Sequence, residues 1–233
     1  MNKKQKTIEQ KRLDTDLWII VLLTFVVFII YSLNAKEFNA YVRDSNISAF
    51  SRLIVSALIE FGLAGLGVCV MCFFRKESFK KFGLIKKNLC PAILKTILCF
   101  IPYVIYSIAS GQFTGYHPLS IMVTNDIIKS GFPLSIFGIL LIAIVWGFFE
   151  AFNYVVIADK INMRYPTKCF WINYGAIVCT MMCLLFHPMN MSLWGIVEII
   201  TTIIAIYGML LVKIKTQNAW GCVFAFCFIW NAL

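Results

Sequence analysis

The stretch LSIFGILLIAIVWGFFEAFNYVVIA, residues 134–158, carries a single charged side chain, Glu150. It is longer than the roughly 20 residues a helix needs to cross a hydrocarbon core. Its apolar residues come as one block, without the alternation of a transmembrane strand. The stretch therefore predicts a membrane-spanning helix with a carboxylate at depth, where ionisable groups are costly and mark function.

Working outward, comparable apolar runs occupy 17–33, 53–74, 89–109, 169–187, 192–212 and 219–233. Together they predict an all-α fold, a polytopic transmembrane helical bundle of about seven spans. Composition agrees. The 233-residue chain is 61% hydrophobic and 14% charged, where a soluble domain would be about 25% charged. The first run is too long for the apolar part of a signal peptide, so it reads as a retained span. This divides the chain into a basic cytoplasmic segment at 1–16, three spans with their loops at 17–133, and a core of four spans at 134–233.

Basic residues set the expected orientation, because they stay on the cytoplasmic side during insertion. Sixteen Lys and Arg fall in 1–16, 75–88, 159–168 and 213–218, against three in 34–50, 110–133 and 188–191. The N-terminus is then cytoplasmic and the C-terminus faces outward, most simply in a plasma membrane. The net charge of +10 reads as a face toward anionic membrane lipid, the expected partner, and nothing points to nucleic acid. Nine cysteines lie mostly inside apolar runs and read as small hydrophobes. Cys69 and Cys72 have CxxC spacing but no second pair, which argues against a zinc ribbon.

Five ionisable side chains fall in or at the ends of the spans: Glu60, Lys95, Glu150, His187 and Glu198. Lys95 lies near a cytoplasmic helix start and can snorkel. Glu60 and Glu198 fall a turn or two below the outer surface. With a fourth helix ending near Arg164, a fifth beginning near Phe170 and a seventh starting at Thr216, three polar residues reach one level. At 1.5 Å per residue, Glu150, His187 and Asn231 stand about 21, 25 and 22 Å from the cytoplasmic helix ends. They are either separately satisfied polar groups or one site.

FFEAFNYV around Glu150, CLLFHPMN around His187 and NAWGCVFAFCFIWNAL around Asn231 together resemble the CPBP family of intramembrane glutamic endopeptidases. That family includes the CAAX prenyl proteases and proteins of bacteriocin processing and immunity. Its motifs are EExxxR, FxxxH and HxxxN, and the similarity covers roughly 140–233, with FGLIKK at 82–87 as further support. Here Ala151 and Val155 replace the second Glu and the Arg, Cys183 replaces the Phe, and Cys227 replaces the first His of the third motif. The resemblance implies a peptidase in which Glu150 and His187 activate water. Asn231 then stabilises the oxyanion, with Cys227 as a substrate-site candidate and no cofactor.

The missing Glu and Arg are four residues apart, the spacing at which opposite charges meet on a helix. Replacing both partners of a buried pair with apolar groups is often neutral, so their joint loss leaves the role of Glu150 intact. A thiol in place of a histidine donates weakly, and losing one oxyanion donor slows acyl transfer about 10²–10³-fold. The expected activity is hydrolysis of a peptide bond in a peptide or protein substrate within or near the membrane. Three alternatives remain open: a proteolytically inactive relative acting in bacteriocin immunity or partner binding, a transporter, and a zinc site built from Glu150, His187 and Cys227.

Overall fold

A computed structural model describes residues 6–186 and 191–232. In chain order its helices are α1 (Ile8–Leu33), α2 (Ala35–Arg43), α3 (Ala49–Ala64), α4 (Leu66–Arg75), α5 (Leu89–Ala109) and α6 (Thr124–Lys129). They continue with α7 (Leu134–Ile142), α8 (Glu150–Arg164), α9 (Tyr174–Phe186), α10 (Leu193–Thr216) and α11 (Trp220–Ala225). Two π-helical segments interrupt this order, Ala143–Phe149 joining α7 to α8, and Phe226–Trp230 following α11.

Among the described residues, four helices are long and apolar enough to cross a membrane: Ile8–Leu33, Leu89–Ala109, Leu134–Arg164 and Leu193–Thr216. The pair α3 and α4 makes a fifth if its 54° bend at Gly65 is taken as one broken span. Tyr174–Phe186 and Trp220–Trp230 are apolar but shorter. The chain is an all-helical integral membrane protein. Its lipid-facing surface supports this, since Leu94, Leu98, Ile101, Ile105 and Ile108 form one exposed stripe along α5. Exposed apolar stripes of this kind are rare on soluble monomers.

α8 is the axis of the bundle. Every residue from Ala151 to Ala158 is buried, the mark of a helix apolar all round and surrounded by others. α1, α9, α10 and α11 pack around it. A second, smaller core joins Val42, Leu53, Val123, Ile127 and Ile142 toward the other end.

The two ends differ in chemistry. At one, Lys160 lies 2.7 Å from Asp16 and 2.8 Å from Glu77, with Arg75, Arg12 and Lys81 completing the network, and Arg164 pairs separately with Asp14. Lys213 pairs with Asp159 nearby in the chain order of α8. The 82–87 segment locks onto the turn before α11: Ala219 N–H donates to the Gly83 carbonyl at 2.8 Å, and the Asn218 amide to the Ile85 and Lys87 carbonyls. Gly83 has φ +98°, and a Cβ there would press on the backbone of Gln217 and Ala219, so only glycine fits the turn. At the opposite end Arg52 pairs with Asp126 at 2.7 Å.

Candidate functional site

A cavity of about 500 Å³ opens between α1, α2, α3, α8 and α9. Ile121, Met122 and Val123 contribute one wall, and Glu60, Glu150, Asn153, Tyr154 and Asn231 are among its polar lining. Trp146, Phe28, Phe38 and Phe186 are among its aromatic walls. None of its lining residues is a Lys, Arg or His among the described residues. On one side α1 and α9 meet through an edge-to-face pair, Phe28 and Phe186, with ring centroids 6.0 Å apart. Both rings are partly exposed on the apolar surface.

Glu150 and Asn231 reach the cavity by the same local device. Each directly follows a π segment, Ala143–Phe149 for Glu150 and Phe226–Trp230 for Asn231. A π turn closes its hydrogen bonds one residue later than an α turn and so rotates the chain that follows; such turns gather at functional sites. The two π segments pack on each other. A Cβ on Gly147 would run into the Cys227 thiol, so the absent side chain at 147 lets the segments approach.

Backbone bonds from the loop before α6 fix the C-terminal residues. Ser120 N–H donates to the Asn231 carbonyl and His117 N–H to the Ala232 carbonyl, both at 2.9 Å. The Asn231 side chain lies within hydrogen-bonding reach of the Glu150 carboxyl, although its buried Nδ2 makes no closely aligned bond, and the amide borders the cavity.

Of the residues predicted from sequence, Glu150 and Asn231 come together. His187 lies outside the described residues. Cys227 is buried with its thiol against Gly147 and does not line the cavity. Ala151 and Val155, at the two positions where the family motif has Glu and Arg, are fully buried in the apolar core. No group of three His, Cys, Asp or Glu side chains that could hold a metal ion occurs among the described residues. Glu198 accepts from the Tyr106 hydroxyl at 2.9 Å, and Gln112 donates to that hydroxyl at 2.7 Å. Lys95 is exposed on α5.

Glu60 is the residue that sequence reading weighed but left out of the site. It projects from α3 into the same cavity as Glu150 and is near enough to act on it electrostatically. One signal was available: Glu60 precedes GLAGLG, and the chain bends at Gly65 within that segment. A glycine-rich break beside a carboxylate marks a helix with something to accommodate. No protein-family model matches the chain, and neither a curated protein nor a solved structure matches it.

Proposed function

We propose that the protein is an intramembrane endopeptidase of the CPBP, CAAX-protease type, hydrolysing a peptide bond with water activated by Glu150. The observation that carries the reading is the meeting of Glu150 and Asn231, from separate helices, on one cavity. A charged base and a nucleophilic water need an enclosure of this kind, since neither is stable in lipid. Glu150 accepts a proton from water, and the hydroxide attacks the scissile carbonyl. The buried Asn231 Nδ2 donates to the oxyanion, a task suited to a fixed donor already withdrawn from bulk water. The resemblance adds His187 as a second group holding the water.

On this reading all seven apolar segments lie in the membrane, with the N-terminus cytoplasmic and the C-terminus outward. The substrate is a peptide or protein segment at bilayer depth. The test uses the full chain in proteoliposomes with a single-span reporter. Glu150→Gln is expected to lower turnover at least 10²-fold, the usual contribution of a general base. Turnover equal to wild type discards the assignment.

A second reading, a proteolytically inactive protein of immunity or partner binding, draws on Cys227, whose thiol packs against Gly147 at the position where the family motif has histidine. It predicts that Glu150→Gln keeps full biological activity.

A further inference from the structure

We infer that Glu60 is a second acid–base residue of this site, holding with Glu150 one proton between two carboxyl groups. The inference rests on the hydrolytic reading for its catalytic part. Its physical part stands on charge balance.

Glu60 comes from α3 and Glu150 from the start of α8, and the two line one cavity. Neither belongs to an ion pair among the described residues, although Lys and Arg pair freely at both ends of the bundle. No basic side chain lines the described cavity wall. Among the described residues, the other titratable groups around the pair are Tyr31 of α1, Tyr154 of α8 and Cys183 of α9, and none of these supplies positive charge. With no counter-charge among the described residues, two enclosed carboxylates do not both ionise, and the first ionises with the second still protonated. Asn231 faces the pair from the other π segment, its buried Nδ2 beside the Glu150 carboxyl.

This arrangement divides the labour of hydrolysis. Glu150 in its charged form takes one proton from water as the oxygen bonds to the carbonyl carbon. Glu60 gives its proton to the amide nitrogen as the carbon–nitrogen bond breaks. The products are a carboxylic acid and an amine, and the proton now on Glu150 returns to Glu60 to reset the pair. No oxidant, metal or cofactor enters the balance.

The experiment follows the carboxyl absorptions of the full chain in lipid nanodiscs by infrared titration, alongside reporter cleavage. Beyond the transitions of the other nine acidic side chains, wild type is expected to show two separated carboxyl transitions, and Glu60→Gln and Glu150→Gln one each. Glu60→Gln is expected to slow cleavage at least 10²-fold and to remove the alkaline limb of the pH–rate profile. Glu60→Asp, which keeps an acid, recovers part of both. Two carboxylates ionised throughout the neutral range, or a titration unaltered by Glu60→Gln, would overturn the shared proton. Cleavage abolished by Glu150→Gln but untouched by Glu60→Gln would remove Glu60 from catalysis and leave the hydrolytic reading standing. Wild-type protein that cleaves nothing sinks the hydrolytic reading, and the infrared result then still decides the pair.

Discussion

Gly147 has no side chain to contribute, yet the site depends on it. It lets the segment before Glu150 lie against the segment before Asn231, with the Cys227 thiol filling the space. Adding a methyl group to a packed contact of this kind costs about 1–3 kcal/mol. Gly147→Ala should therefore lower the thermal unfolding midpoint in detergent, and Gly147→Ala with Cys227→Ala should recover most of the loss, because deleting the thiol makes room. Equal loss in the single and double variants would show that the two positions are not coupled. Glu150 was legible in the sequence because a lone carboxylate in an apolar run is conspicuous. The placement of Cys227 was not. Residues four apart share a face of an α-helix, which sets Cys227 beside Asn231, but the intervening π segment changes the angular spacing and leaves the thiol on Gly147. Hydrophobicity carries no signal for a π turn.

Among the elements, hydropathy located the long apolar helices well, since α5 and α10 follow directly from runs of apolar residues. What it does not convey is which loop touches which helix. The segment SGQFTGYHPLS reads as a connector, but it bonds to the C-terminal residues through backbone groups alone, and backbone bonds leave no trace in side-chain composition. Leu119 takes φ +59° to present Ser120 N–H to the Asn231 carbonyl. Ser120→Pro removes that donor, and proline also drives the preceding residue out of the left-handed region. We expect the variant to fold, since Ser120 itself belongs to neither hydrophobic core, while cleavage of the reporter falls by about 10²-fold, the usual effect of a displacement near 1 Å. Full turnover in the Ser120→Pro protein would mean that the loop does not position Asn231.

At the scale of the molecule, the distribution of Lys and Arg grouped four segments, and three of them meet at one end of the bundle. Ion pairs join the start of α1, the segment after α4 and the end of α8. The individual pairings were beyond sequence, because charge counting cannot choose partners among so many basic residues. Lys160 is the centre of this network, 1% exposed and paired with both Asp16 and Glu77. Glu77 is itself shielded by burial, but hydrogen bonds from Lys160 and Lys81 hold its carboxyl below the usual carboxylate range. Removing one partner of a buried ion pair costs about 3–5 kcal/mol. Lys160→Met should sit near 3 kcal/mol in denaturant titration, because Arg75, Arg12 and Lys81 still serve the two acids; an unchanged midpoint would mean the network contributes nothing to folding.

The rings of Phe28 and Phe186 line the cavity, touch each other between α1 and α9 and are partly exposed on the apolar surface. On the hydrolytic reading, a substrate that enters between them arrives by diffusion in two dimensions. Its supply is then set by its mole fraction among the lipids, and diluting the bilayer with inert lipid slows cleavage even when nothing in the surrounding water has changed.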